Sequence, residues 1–169
     1  MFRKMYTPLQ FTAILGLVLA LALSIAWASE YHSASKVVFY QQKGNASLKL
    51  VGGKDKIQCM IRRNTLDPYL AQQGQNKVTI TAEVTASLVM DANGTSYYNL
   101  DFTFGPSGTY FEDRELELTI TGKYASADTR VWLYDEYGEA IEGTRQDSAD
   151  HIKFKIPHFS RYSYDLYDY

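Results

Sequence analysis

The chain has 169 residues, 17 Lys and Arg against 19 Asp and Glu, one cysteine, 46% hydrophobic and 14% aromatic residues. That length suits one domain better than a two-domain enzyme, and the near-neutral balance supplies no clustered basic surface for nucleic acid. One cysteine excludes an intrachain disulfide framework and a thiolate-cage zinc site. In chain order, the first segment reads as an address. Residues 1–28 hold no acid, Arg3 and Lys4 form a basic start, and 11–28 are apolar apart from Thr12 and Ser24. Ala26-Trp27-Ala28 puts small residues where a signal peptidase accepts them, so cleavage is expected before Ser29. The alternative is an uncleaved anchor, because eighteen apolar residues sit at the lower limit for spanning a bilayer. Residues 29–169 are then one exported domain, placed in the periplasm, on the cell surface or outside the cell, with a membrane partner only if the anchor stays. Without Arg3 and Lys4 its charge is −4, which discourages adhesion to anionic surfaces.

Beyond residue 29 no helical stripe exceeds about two turns, whereas period-two alternation recurs. Strands are predicted over 36–40, 46–51, 57–62, 77–90, 95–104, 114–123, 130–134, 140–145, 151–156 and 159–167. The clearest is 114–123, where Leu116, Leu118 and Ile120 oppose Glu115, Glu117, Thr119 and Thr121. Ile152, Phe154 and Ile156 repeat the pattern against His151, Lys153 and Lys155. Turn chemistry separates them at Gly52-Gly53-Lys54-Asp55, Asp91-Ala92-Asn93-Gly94 and Glu136-Tyr137-Gly138. Residues 63–76 form a surface loop, with a helical turn expected at 69–73. The fold class that follows is all-β, a single antiparallel β-sandwich of about ten short strands after the signal segment.

The order of motifs resembles a known family. Gly44-Asn45-Ala46-Ser47-Leu48-Lys49-Leu50 comes first, then Val78-Thr79-Ile80, then Phe104-Gly105-Pro106-Ser107-Gly108-Thr109-Tyr110-Phe111. Trp132-Leu133-Tyr134-Asp135-Glu136-Tyr137-Gly138 and Pro157-His158-Phe159-Ser160-Arg161-Tyr162 complete it. The arrangement is similar to the ZU-type β-sandwich domains of netrin receptors, zonula occludens proteins and ankyrins, and to bacterial exported relatives, over residues 36–162. It departs from their Ile-Pro stretch at Ile61-Arg62-Arg63-Asn64-Thr65. The resemblance implies a structural or protein-interaction module, by analogy of fold.

It also implies one piece of chemistry. In some ZU-type domains, and in a self-cleaving nucleoporin, a His-Phe-Ser tripeptide cuts its own backbone. Here His158 would be the base, Ser160 the nucleophile, and the bond after Phe159 the scissile one. That reaction needs a peptide strained out of its plane. The simpler reading is a strand with Phe159 inward, Ser160 outward and His158 in a turn.

The remaining features have plain readings. His32, His151 and His158 lack zinc-ligand spacing, and His151 falls on the predicted solvent face. Cys59, between Ile57 and Ile61, reads as a small core hydrophobe. Asp91-Ala92-Asn93-Gly94 is a hairpin turn rather than a calcium loop. Gly105-Pro106-Ser107-Gly108 lacks the lysine of a phosphate cradle. Asn45-Ala46-Ser47 and Asn93-Gly94-Thr95 match the glycosylation acceptor pattern. Tyr162, Tyr164, Tyr167 and Tyr169 read as a last strand packing its rings across neighbours. No cofactor or metal is expected. The leading expectation is a non-enzymatic interaction or envelope module with a protein or glycan partner. The alternatives are self-cleavage at His158-Phe159-Ser160, and carbohydrate binding through exposed Tyr or Trp132 rings.

Overall fold

The computed structural model describes residues 29–90, 93–111, 115–125, 132–146 and 150–164. The expected signal segment, part of the Asp91–Gly94 turn, and Tyr167 and Tyr169 lie outside them. The described residues form eleven strands: β1 (Ser29–Phe39), β2 (Ala46–Val51), β3 (Ile57–Ile61), β4 (Lys77–Met90), β5 (Ser96–Gly105), β6 (Leu116–Thr121), β7 (Trp132–Asp135), β8 (Ala140–Glu142), β9 (Thr144–Arg145), β10 (His151–Ile156) and β11 (Arg161–Ser163). Helix α1 (Asp67–Gln72) starts with Pro68 in its first turn, where a missing N–H costs nothing, and buries Leu70. Among the described residues, no helix is long and apolar enough to cross a membrane.

Period-two alternation produces two antiparallel sheets, ordered β1-β4-β5-β11-β7-β8 and β2-β3-β6-β10-β9. Their apolar faces meet. Ile57, Cys59 and Ile61 of β3, Leu118 and Ile120 of β6 and Phe154 of β10 supply one layer; Val84, Ala86, Leu100, Phe102 and Phe104 of β4 and β5 supply the other. Each is buried, which makes this an all-β sandwich. Cys59 is a core side chain as expected, and burial pushes its thiol far above the usual range. Tyr162 and Tyr164 are likewise buried, against Phe104 and Phe154. His151 is half-buried rather than solvent-facing.

The structure departs most from the predicted elements in three places. β1 begins at Ser29, seven residues before the predicted start. Its first half is polar, because an edge strand is held by its ladder as well as by burial. The register with β4 runs without a shift from Ser29 opposite Ser87 to Phe39 opposite Lys77. The predicted strand over 140–145 is two strands in different sheets, β8 on β7 and β9 on β10, with the chain crossing at Gly143. The last strand is shorter than predicted among the described residues, because Phe159 and Ser160 belong to a second crossing between sheets.

The start of β1 is fastened by a polar clasp. Glu30 accepts from Lys123 Nζ at 2.7 Å and from Tyr98 Oη at 3.2 Å, and its other oxygen accepts from the Tyr124 hydroxyl. Lys123 also lies over the Tyr98 and Tyr124 rings, 4.8 and 4.7 Å from their centroids. The Lys123 and Tyr124 bonds hold the Glu30 carboxyl down to about 2. Because the folded value lies below the unfolded one, the clasp is at full strength above the ordinary carboxylate value of 4.5 and is lost as pH falls from there toward about 2.

Candidate functional site

The chain leaves β10 for β11 through residues 157–160, and this crossing carries His158, Phe159 and Ser160. Each of its four carbonyls accepts a hydrogen bond. Pro157 accepts from Phe111 N at 2.9 Å, Phe159 from Gly108 N at 3.1 Å and Ser160 from Phe104 N at 3.0 Å. The His158 carbonyl accepts from Tyr162 Oη at 2.8 Å. Phe159 N donates to Thr109 O at 2.9 Å, and Tyr110 bridges His158. Phe159 is buried, edge-on to Phe111 with centroids 4.9 Å apart and stacked on Phe104 at 6.3 Å. The crossing is thus anchored by one ring and clamped by the Gly105–Phe111 loop.

The side chains on either side of Phe159 have separate partners. The His158 ring is buried and held at both nitrogens, with Nε2 3.4 Å from Asp135 Oδ2 and Nδ1 3.2 Å from Tyr162 Oη. Burial and the Asp135 charge push the Tyr162 phenol well above its ordinary value, so it stays a neutral donor. Asp135 ends β7, and its other oxygen accepts from Tyr137 N at 2.9 Å and Glu139 N at 2.8 Å. One buried carboxylate therefore shapes the 136–139 turn and holds the imidazole. That turn presents Glu136, which accepts from Ser160 Oγ at 2.7 Å.

Sequence reasoning placed His158 and Ser160 on one chemical unit. The structure brings them to one place and gives them different carboxylates. Ser160 is buried rather than outward, and its hydroxyl donates to Glu136. The left-handed non-glycine residues among those described are Gln41 and Asn64, both remote from the crossing in sequence. Asp135, Glu136 and Tyr162 escaped the reading of the sequence. Glu136-Tyr137-Gly138 is a turn signal, and an Asp directly before such a turn is a candidate to cap its N–H groups.

Rings also stand exposed nearby. Tyr110 lies against His158, with centroids 4.9 Å apart, while Tyr137, its phenol pushed up chiefly by the neighbouring Glu136 carboxylate, is open to solvent. A separate concavity of about 230 Å³ lies on the six-stranded sheet, with Tyr31, Glu83, Thr85, Asp101, Thr103 and Arg161 among its lining residues.

Fold and crossing together define an all-β, two-sheet sandwich whose passage between sheets is latched by buried His158, Asp135 and Tyr162. Comparison with family models, curated proteins and solved structures finds no match for this chain.

Proposed function

We propose that this chain is an exported, non-enzymatic β-sandwich module that works in the cell envelope by protein contact, through addition of a strand to β1. The observation that carries the reading is the contrast among sheet edges. β8 has three residues, β9 has two, and β2 is interrupted by a register irregularity between Lys49 and Val51. Short or kinked edges of this kind resist pairing. β1 has eleven residues, no proline and an unbroken register. It also carries Tyr31, Val37 and Phe39, exposed by 61%, 41% and 54%. An open edge with apolar side chains is the template used in strand-addition recognition. The secretory character of residues 1–28 supports export, and the ZU-type resemblance supports the role class by analogy.

The backbone says how to test it. Tyr40 N donates to Asn76 O at 2.9 Å, one step beyond the pair Phe39 and Lys77. Opposed antiparallel pairs alternate between bonded and non-bonded. The even-numbered residues of β1 therefore spend their backbone groups on β4, and Tyr31, Ser33, Ser35 and Val37 turn theirs to the open edge. Proline at an even position would cut the ladder, whereas Ser35→Pro removes only an outward N–H. The expected result is an unchanged circular dichroism spectrum together with loss of the β1 adducts formed by photo-crosslinking in the envelope. Adducts that persist in Ser35→Pro overturn the reading.

Carbohydrate binding is a second reading, favoured by the concavity on the six-stranded sheet. There an exposed tyrosine ring adjoins Glu83, Asp101 and Arg161, the mix of platform and polar groups that orients sugar hydroxyls. Arg161→Ala is expected to lower retention on a glycan array at least tenfold. An intact protein that binds no glycan removes this reading.

A further inference from the structure

From the pattern of charge and backbone along β1, we infer that the strand added to this edge is β1 of a second copy of the chain, antiparallel and centred on Ser33. The inference rests on the reading of β1 as an addition edge and names its partner.

Three observations select the occupant and the register. First, Lys36 is exposed near the middle of the strand, its side chain makes no hydrogen bond or ion pair among the described residues, and it stands on the same side of β1 as Glu30. A lone lysine on an edge deters casual pairing. A second β1 centred on Ser33 removes that obstacle, because it sets each Lys36 opposite Glu30 of the other copy. Opposite charges facing each other across an antiparallel pair are stabilising. A strand lacking a carboxylate at that place would leave the lysine unmatched, so the same residue favours self-pairing and disfavours other strands.

Second, the backbone parity agrees. In this register odd residues face odd residues: Ser33 faces Ser33 of the second copy, and Tyr31 faces Ser35. These are the positions whose N–H and C=O groups point away from β4, so they meet as bonded pairs while the even pairs remain non-bonded. A register with odd residues facing even ones would oppose free groups to spent ones.

Third, the interface would be isologous, as a two-fold dimer requires. Both six-stranded sheets would continue through it, bringing together the faces that carry Tyr31 and Val37. The Glu30 clasp to Lys123 and Tyr124 holds the carboxylate in place before pairing, so no rearrangement is needed.

Sedimentation of the exported protein over a concentration series tests the proposal. The expected result is a reversible doubling of mass, lost in Lys36→Glu, which sets like charges against each other at both ends of the register. Register is read by cross-linking, since the lone native thiol, Cys59, is buried. Ser33→Cys places two thiols directly opposite, at the roughly 5.5 Å Cα spacing of a bonded pair, within disulfide reach. It is expected to give a covalent dimer on oxidation, while Ala34→Cys, offset from its copy by two residues, is not. A chain monomeric at every concentration overturns the proposal, as does a dimer indifferent to Lys36→Glu or one cross-linked through Ala34→Cys. A monomer that still forms envelope adducts sensitive to Ser35→Pro would overturn self-pairing alone and leave β1 as the site of addition for a different protein.

Discussion

Asp135→Ala is expected to destabilise the fold by about 3 kcal/mol, within the range for breaking one partner out of a buried polar set. The argument follows from what the carboxylate holds. Asp135 is 2% exposed and accepts two backbone N–H groups of its own turn. Water can reach those donors once the carboxylate is gone, since Tyr137 and Glu139 are exposed. The His158 Nε2 atom, in a ring that is itself buried, has no such replacement. Its orphaning is the dominant cost, because an unpaired buried polar group carries its full desolvation penalty. Loss of the ring's position then loosens Tyr162, whose hydroxyl is bonded to the same residue. For a domain of this size the change corresponds to a fall in melting temperature of roughly 6–12 °C. Glu136→Ala is the contrast, because it removes one hydrogen bond to Ser160 at a half-buried site and is expected to cost about 1 kcal/mol. Equal effects from the two variants would show that the latch does not hold the crossing. Intact mass on the same samples separates latch from cleavage. An unsplit chain that is stable on incubation fits a structural role, whereas a species ending at Phe159, lost in Ser160→Ala, would make Glu136 the base of a self-cutting site.

Most of the sandwich was legible because burial on one face writes itself into every second residue. β2, β4 and β10 have the predicted limits and β3 ends one residue short of its own, and each carries an alternating or nearly continuous apolar set. The parts that escaped lack that signature. The first half of β1, Ser29-Glu30-Tyr31-His32-Ser33-Ala34-Ser35, has little apolar alternation because it buries little; its strand character comes from β4, forty and more residues away. The latch escaped for a related reason. His158, in the crossing just before β11, meets Asp135 because β7 pairs with β11, and no local spacing links a histidine to a carboxylate that far upstream. The tripeptide was visible, but its surroundings were not, and they decide which carboxylate each side chain meets. The change of sheet within 140–145 was hidden as well, because a chain that stays extended through a crossing reads as one strand.

That crossing makes Gly143→Ala the other large expected effect. The glycine is buried where β8 hands the chain to β9, and a Cβ placed on it would lie 2.6 Å from Phe154 Cε1, 2.8 Å from Cζ and 2.7 Å from Ile152 Cδ1. Its backbone is outside the left-handed region, so the constraint is space rather than conformation. Phe154 and Ile152 are fully buried side chains of β10 and have no solvent to retreat into. One added methyl must therefore shift a ring, a backbone segment, or both, at an expected cost of about 2–3 kcal/mol. Gly44→Ala is the matched comparison: nothing lies within 4 Å of its added Cβ, and its stability is expected to stay within about 0.5 kcal/mol of the parent. Adding Ile152→Val to Gly143→Ala removes the clashing Cδ1 methyl and should recover part of the loss, so the pair is expected to be less destabilised than the sum of its members. Chemical denaturation of the parent and the four variants, Ile152→Val alone included, reads all of this. Additive losses, or a Gly143→Ala as mild as Gly44→Ala, would mean that the backbone between β8 and β9 stands farther from the Phe154 ring than the packing requires.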